Sequence, residues 1–207
     1  MGQAGMAEAA VRYLRSAGAP GAAARPVEAL PRPELRCVGE DERAPVSQRA
    51  FRDVLGAFAT GVTVITAPPA DGGPSPAGFA CQSFSALSLD PPLVAFMVGR
   101  TSTTWPRIAR AGLFCVNVLG AAQGELCRAF AVSGADKFAG VAYDAAPVSG
   151  APRLAGSLAW IDCTIHAVHT GGDHLIVVGR VDALGTAADD PDGPLLFHRG
   201  RFARLSD

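Results

Sequence analysis

The sequence predicts a mainly β protein, built as a closed antiparallel barrel with a few connecting helices. Short apolar and β-branched runs recur through the 207 residues, separated by turns rich in Gly and Pro. A Gly-Gly-Asp turn at residues 171–173 separates two long runs, which is typical of a β-hairpin. Strands and helices do not alternate regularly and no G-x-G-x-x-G motif occurs, so a doubly wound nucleotide-binding fold is excluded.

The first predicted element is a helix that begins after Ser47 as N-cap and stops at Gly61. Its apolar residues recur at helical spacing: Ala50, Phe51, Val54, Leu55 and Phe58. The β-branched run Val62–Thr66 then predicts a strand.

The rest of the chain reads mostly as strands. They are expected near residues 76–81, 83–88, 93–98 and 114–119. A short helix is expected over 122–130 and a loop over 132–152. The hairpin pairs Ser157–His169 with His174–Leu184, and two short strands flank a turn at Arg199–Gly200, which completes the predicted barrel.

Composition limits the class of protein. Hydrophobic residues make up 49% of the chain and charged residues 18%, which favours a homodimer that buries additional surface. The net charge of −1 gives no support for nucleic-acid binding. Apolar runs have only strand length, so no membrane segment is expected. The five cysteines are scattered without C-x-x-C spacing, which favours a reduced, cytoplasmic protein without a metal site.

Residues 1–45 differ from the remainder. They are rich in Ala, Pro, Gly and Arg, and their apolar periodicity is weak. We therefore expect a flexible N-terminal extension over 1–45 and a single folded domain over 46–207.

The stretch Gly78–Met97 has an unusual composition for a strand region. Small and hydroxyl residues alternate loosely with apolar ones, and no Lys, Glu or Arg marks a solvent face. Small side chains allow a flat ligand to approach the backbone, while hydroxyls and free N–H groups offer it hydrogen bonds. The stretch therefore predicts a platform for a planar ligand.

A run of hydroxyl residues follows the platform. Arg100 and Thr101–Thr104 precede Pro106, and Gly112 ends the helix that this pattern predicts. Free N–H groups, hydroxyls and an arginine together predict an anion site of phosphate size. The alternative interpretation is helix capping alone.

From Phe51 onward the chain resembles the flavin reductase family, the small NAD(P)H:flavin oxidoreductases with an FMN-binding split-barrel (Greek key) fold. The resemblance depends on several blocks in the same order, which together are a far stronger signal than any one of them. The blocks are FRDVLGAFATGVTVIT (Phe51–Thr66), SFSALSLDPPLV (Ser83–Val94), FCVNVL (Phe114–Leu119), FAVSGADKFAG (Phe130–Gly140), GGDHLIVVGRV (Gly171–Val181) and PLLFHRGRFARL (Pro194–Leu205).

The resemblance implies a set of flavin-binding residues. Those along the isoalloxazine ring are Phe79, Ala80, Cys81, Gln82 and Ser83, with Ser85 and Ala86 beside it. Those toward the phosphate are Arg100, Thr101 and Ser102, with Phe114, Asn117, Lys137 and Phe138 nearby. Family members commonly carry Thr and Asn near the positions of Ala80 and Gln82, so the flavin preference of this chain stays open. Asn117 as a structural hydrogen bonder and Lys137 as a solvated loop charge are the alternatives.

The resemblance also implies a nicotinamide side, with His174 as the catalytic residue. Its imidazole can hydrogen-bond the carboxamide or stack on the ring, and Asp173 can orient it. His198 and Arg199 are further candidates for contact with the dinucleotide. The alternatives are a structural histidine at a strand start and ordinary surface charge.

The function that the resemblance implies is direct hydride transfer from NADH or NADPH to free FAD or FMN, in a homodimer that supplies reduced flavin to a separate monooxygenase. One alternative is an oxidase that retains its flavin, of the pyridoxamine-phosphate-oxidase type. Another is a non-catalytic flavin-binding protein. Because a binding protein does not need His174, that residue distinguishes these hypotheses.

Overall fold

A computed structural model of the chain describes residues 46–69, 73, 75–134, 136–187 and 193–205. The expected flexible extension, residues 1–45, lies outside the described residues. The strands are β1 Thr60–Gly61, β2 Thr63–Ala67, β3 Ala77–Cys81, β4 Ser85–Leu89, β5 Pro92–Gly99, β6 Leu113–Val118, β7 Tyr143–Ala145, β8 Pro152–Leu154, β9 Ala159–Gly171, β10 His174–Thr186, β11 Leu196–His198 and β12 Arg201–Ala203. The helices are α1 Gln48–Leu55, α2 Trp105–Ala111, the 3₁₀ turn Ala121–Gln123 and α3 Gly124–Ala131.

A seven-stranded antiparallel sheet, in the order β3-β2-β6-β9-β10-β5-β4, dominates the fold. The two edge strands, β3 and β4, are consecutive in the chain and are joined only by residues 82–84. Strands at opposite edges can be this close in sequence only when the sheet curves strongly. Two small sheets, β1-β11-β12 and β7-β8, complete the fold, so the prediction of a mainly β antiparallel architecture is confirmed.

The predicted hairpin is present between β9 and β10. Gly171 pairs with His174, which leaves Gly172 and Asp173 as a two-residue turn, and Gly172 has φ of 68°. Further along β10, a Cβ at Gly179 would lie 2.4 Å from Cζ of Phe114. A glycine is therefore required in this central strand, because the Phe114 ring occupies the place of its side chain.

Helix α1 is correctly predicted at its start but not at its end. The Ser47 hydroxyl accepts a hydrogen bond from the Ala50 amide (3.2 Å), as expected for an N-cap. The helix ends at Leu55. Gly56 still donates to the Arg52 carbonyl (2.8 Å), but the amides of Ala57 and Phe58 donate to carbonyls only three residues back, and the chain then turns toward β1. The predicted stop at Gly61 is wrong.

The segment predicted as a loop over residues 132–152 contains β7 and leads directly into β8. These strands have three residues each, too short for a visible alternation pattern. An ion pair joins them: Arg153 contacts both oxygens of the Asp144 carboxylate at 2.6 Å. This bidentate pair lowers the pKa of Asp144.

The core lies between the curved sheet and helices α2 and α3. Phe96 is its centre, with Phe114 and Trp105 packed edge-on at centroid distances of 5.2 and 6.3 Å. A second cluster groups Val64, Leu119 and Phe130 with α3. By contrast, none of the residues of α1 is buried.

Among the described residues, no helix has both the length and the apolar character needed to cross a membrane. Within the same ranges, no three His, Cys, Asp or Glu side chains are grouped as metal ligands would be.

Candidate active site

A cavity of about 520 Å³ lies beside the end of β3, between β5, the hydroxyl run and the β9–β10 hairpin. It brings together half of the residues that the resemblance implied. Those lining it are Phe79, Ala80, Cys81, Gln82, Ser83, Thr101, Ser102, Lys137 and His174. Residues of the expected flavin platform and the expected nicotinamide residue therefore border the same space.

Backbone amides form part of this cavity's edge. Within the described residues, β3 pairs only with β2, so one side of β3 carries peptide groups with no strand partner. Alternate N–H groups of an edge strand point away from its neighbour and can donate to a ligand. The small side chain of Ala80 leaves these groups accessible, which fits a planar heterocycle with acceptor atoms along one edge.

The Ser83 hydroxyl binds the backbone of β5, a structural role that the sequence alone does not show. It accepts a hydrogen bond from the Met97 amide (2.9 Å) and donates to the Met97 carbonyl (3.0 Å). A single side chain thus takes the place of a strand neighbour for Met97, at the point where β4 no longer pairs with β5. This hydroxyl is occupied, so Ser83 borders the cavity mainly through its backbone.

The Cys81 side chain is buried although the residue borders the cavity. Its sulfur lies 3.3 Å from the Ser83 hydroxyl oxygen. Burial raises the pKa of the Cys81 thiol, so the neutral form that a core residue needs is the stable one.

The hydroxyl run lies at the start of helix α2 and faces the cavity. The Ser102 hydroxyl accepts from the amide of Trp105, the first residue of the helix (3.2 Å), whereas the N-cap residue Thr104 makes no capping hydrogen bond with its side chain. The hydroxyls of Thr101, Thr103 and Thr104 make no hydrogen bond within the described residues and line the cavity. They are therefore available to an anionic ligand. Arg100, by contrast, is exposed and does not line the cavity, although its amide donates to the Asp173 carbonyl (3.0 Å).

Lys137 supplies a positive charge at the cavity lining. Its ammonium group donates to the carbonyls of Phe130 (2.9 Å) and Gly78 (3.2 Å), which fixes the charge at the cavity wall. Partial burial lowers the pKa of Lys137. An anionic ligand beside it would offset that desolvation, so the interpretation as a freely solvated loop charge does not fit.

His174 and Asp173 form a pair at the mouth of the cavity. The Nδ1 atom of His174 lies 2.8 Å from Oδ1 of Asp173, and the His174 side chain is half exposed. The hydrogen bond with His174 lowers the pKa of the Asp173 carboxyl. Because Nδ1 is engaged with Asp173, Nε2 is the atom left for a ligand.

Several expected site residues lie elsewhere. Phe114 and Asn117 are fully buried, so their side chains cannot contact a ligand. Phe114 packs in the core. The Asn117 amide donates to the Val64 carbonyl (3.2 Å) and accepts from the Leu154 amide (2.7 Å). The expectation that these side chains bind flavin is corrected, and the structural alternative for Asn117 is the one that fits.

Other expected residues border neighbouring surfaces. Ser85 and Ala86 lie on β4, exposed and outside this cavity. Phe138 lines a second, adjoining cavity, and Arg199 lines a groove beside α1. His198 is half-buried on β11, and none of these cavities includes it. The structure therefore separates His198 and Arg199 from His174.

Met97, Thr103 and Thr104 line the cavity, and the family resemblance does not name them individually, although they lie within the platform stretch and the hydroxyl run. The two threonines belong to the hydroxyl run, which was itself a visible signal. Met97 is 41% exposed between the buried Phe96 and Val98. An alternation of apolar and polar residues along β5 would have indicated that Met97 faces outward. The residues of β5 around Met97 are all apolar, so the sequence does not show this alternation.

Comparison with known proteins identifies the class to which this fold and site belong. The family model described as a flavin reductase like domain matches residues 55–206. The chain belongs to this family.

Relatives within the family agree in length and sequence. The chain is 50% identical over 160 residues to the reductase subunit HsaB of a flavin-dependent monooxygenase from Rhodococcus jostii, covering 77% of this chain and 79% of that protein. It is 45% identical over 167 residues to a flavin reductase of Pseudomonas putida, covering 81% and 95%. Among solved structures, component B of nitrilotriacetate monooxygenase from Mycobacterium thermoresistibile superposes with a TM-score of 0.72 at 48% identity, covering 77% of this chain and 87% of that chain.

Proposed function

We propose that this protein takes up free FAD or FMN, transfers a hydride to it directly from NADH or NADPH, and releases reduced flavin to a separate monooxygenase. Its class as an NAD(P)H:flavin oxidoreductase follows from the family. The observation that carries the finer proposal is the single cavity shared by the β3 edge, the free hydroxyls and His174.

The residues present fit a bound flavin. The free amides of β3 face the side where acceptor atoms of the ring would lie, and the hydroxyls of Thr101, Thr103 and Thr104 stand beside Lys137 for a phosphate. Flavin supplies the hydride acceptor, so the protein needs no acid or base of its own for that transfer. Its residues bind the two cosubstrates and hold them against each other.

His174 supports the nicotinamide side of the proposal. With Nδ1 held by Asp173, the imidazole has a defined orientation and presents Nε2 to the cavity. A hydrogen bond from this position to a carboxamide would orient the nicotinamide ring without closing the site. The Asp173 carboxylate is 94% exposed, so solvent screens its charge. Its main effect is therefore to orient the His174 ring.

We also propose that the sheet closes into a split barrel and that two copies form a homodimer. The short link between the edge strands β3 and β4 supports closure. Support for the dimer comes from large apolar side chains that stand exposed around α1: Val46, Phe51, Val54, Leu55 and Phe58. The groove beside α1, about 600 Å³, shares Gln82 and Ser83 with the flavin cavity, so a second copy packed there would border the site.

A separate partner is supported by the names of relatives. The Rhodococcus jostii protein and a Rhizobium meliloti protein are described as reductase subunits of a flavin-dependent monooxygenase and of a stachydrine N-demethylase. The His174 side chain at the cavity is half exposed, which suits a flavin that enters and leaves.

The deciding experiment is oxidation of NADH and NADPH by the purified protein, followed by the loss of nicotinamide absorbance, with and without added FAD or FMN. We expect turnover to require added flavin and to rise with its concentration. Turnover that needs no added flavin would indicate a retained cofactor. Flavin binding without any oxidation of either dinucleotide would indicate a carrier and contradict the proposal.

A further inference from the structure

A second cavity, of about 540 Å³, adjoins the flavin cavity on the side of helix α2. The two cavities share Thr103, Thr104 and Lys137, so Lys137 stands at their junction. The second cavity extends from there to Arg107 and Ser75. The function proposed above uses only the first cavity, and this second space has no role in it.

Arg107 gives the second cavity its chemical character. One guanidinium nitrogen, Nη2, donates to the carbonyls of Ser75 (2.6 Å) and Pro76 (3.0 Å) and contacts the Ser75 hydroxyl (3.3 Å). Nε and Nη1 make no hydrogen bond within the described residues. The guanidinium is thus anchored by one nitrogen, with its other donors left for an anion.

The remaining lining suits a nucleoside. Phe138 is half-buried and offers an aromatic ring, which packs edge-on against Phe130 at 5.1 Å. Asp136 also lines the cavity, and one of its carboxylate oxygens accepts the Phe138 amide (3.2 Å). A carboxylate repels phosphate but accepts hydrogen bonds from ribose hydroxyls or an adenine amino group. Lys137 at the junction and Arg107 beyond it offer two cations for a diphosphate. Phe138 and Asp136, the neighbours of Lys137 in the chain, offer an aromatic ring and an acceptor for a nucleoside.

We infer that the second cavity holds the adenylate half of FAD, and that Arg107 makes this protein prefer FAD to FMN. The inference rests on the proposed function for the position of the flavin ring. FMN ends at its monophosphate and reaches only the junction at Lys137. FAD continues across the junction, so its diphosphate lies between Lys137 and Arg107. The difference in affinity between the two flavins therefore arises in the second cavity alone.

The test is equilibrium binding of FAD and of FMN, measured by quenching of flavin fluorescence. We expect Arg107→Ala to weaken FAD binding about tenfold, the size expected for losing a charge-assisted hydrogen bond, and to lower the ratio of FAD to FMN affinity by the same factor. Arg110→Ala is the matched control, because Arg110 lies on the same helix and lines neither cavity. It should leave both affinities unchanged.

A second variant separates recognition from local structure, since Arg107 also anchors residues 75 and 76. Ser75→Trp fills the second cavity from its far end, outside the flavin cavity. We expect it to lower the FAD to FMN ratio as Arg107→Ala does. Free ADP should compete with FAD and leave FMN binding almost unaffected.

The outcomes separate the two proposals. Equal affinities of the unaltered protein for FAD and FMN, or equal losses for both flavins in the two variants, would overturn the inference while leaving the flavin reductase function intact. Failure of NADH and NADPH oxidation with a normal FAD preference would overturn the proposed function alone, because binding is measured without turnover.

Discussion

At the scale of single residues, the site depends on side chains whose orientation is set by a neighbour. His174 is held through Nδ1 by Asp173, and Lys137 is held by two carbonyls. Each neighbour occupies some of the hydrogen-bonding atoms of the side chain. The other donors or acceptors of His174 and Lys137 are then left to face the cavity. An orientation fixed in this way is a form of preorganisation, because less rotamer freedom is lost when a ligand binds.

We predict that His174→Ala lowers kcat/KM for NADH about tenfold or more, because one hydrogen bond to the nicotinamide is lost. The dissociation constant of flavin should change little, since β3 and the hydroxyl run are untouched. Steady-state kinetics and fluorescence titration measure the two quantities. His169→Ala is the control, as His169 is exposed on β9 and lines none of the cavities. Parallel loss of turnover and flavin binding would indicate a structural histidine instead.

The buried thiols lead to a prediction about pH. Burial raises the pKa of Cys115 from 9.0 to about 12. Between those values the unfolded chain has released the proton while the folded chain retains it, so the free energy of unfolding falls as pH rises. The slope is at most about 1.4 kcal/mol per pH unit for this thiol. The free energy of unfolding, measured by urea denaturation at several pH values in this range, should fall less steeply with pH for Cys115→Ala than for the unaltered protein. Identical slopes for the two proteins would contradict the burial argument.

At the scale of elements, the link between β3 and β4 decides the shape of the site. Three residues, 82–84, connect opposite edges of the sheet, and Ser83 ties the link to Met97 on β5. The cavity wall is therefore a consequence of strand connectivity. The proposed flavin platform and the proposed closure of the sheet therefore depend on the same few residues.

Ser83→Ala tests this connection. We expect it to lower the free energy of unfolding by about 1 kcal/mol and to weaken flavin binding, because both Met97 backbone groups lose their partner. Ser85→Ala is the control, since that exposed hydroxyl bonds only to the neighbouring Ala86 carbonyl. If urea denaturation gives equal stabilities for the two variants, the Ser83 bonds do not hold the edge.

Local signals explain how much of the fold could be predicted from sequence. The hairpin at Gly172 and the cap at Ser47 are encoded within a few residues, and both were predicted. The strands β7 and β8 pair with each other but have only three residues each, so no alternation pattern marks them in the sequence. For the site, the platform could be anticipated from composition and family resemblance. Phe114 and Asn117 could not be placed, because β6 is buried on both faces and its sequence does not show which side chains point where.

At the scale of the whole molecule, the exposed apolar face of α1 requires an explanation. Its side chains include Phe51, 58% exposed, and Val54, 70% exposed. Stable monomers seldom leave such a contiguous face in water. The proposed dimer covers it and encloses the groove that reaches Gln82.

We predict that the protein has the mass of a dimer by light scattering and that Val54→Glu converts it to a monomer, because a charge would be buried at the interface. Gln48→Glu, on the same helix but outside its apolar residues, should leave the dimer intact. A monomeric unaltered protein, or a Val54→Glu dimer, would contradict this arrangement.

Asn117 has a consequence for the order in which parts of the molecule open. Its amide group joins β2, β6 and β8 through the Val64 carbonyl, the Pro152 carbonyl and the Leu154 amide. Small two-stranded sheets at a surface ordinarily fluctuate independently of the core. The Thr66 hydroxyl on β2 also bonds the Pro152 carbonyl (2.5 Å). Two buried side chains thus fasten β8 to the most buried strands, so we expect this peripheral sheet to open together with the central sheet, as part of the same cooperative unit.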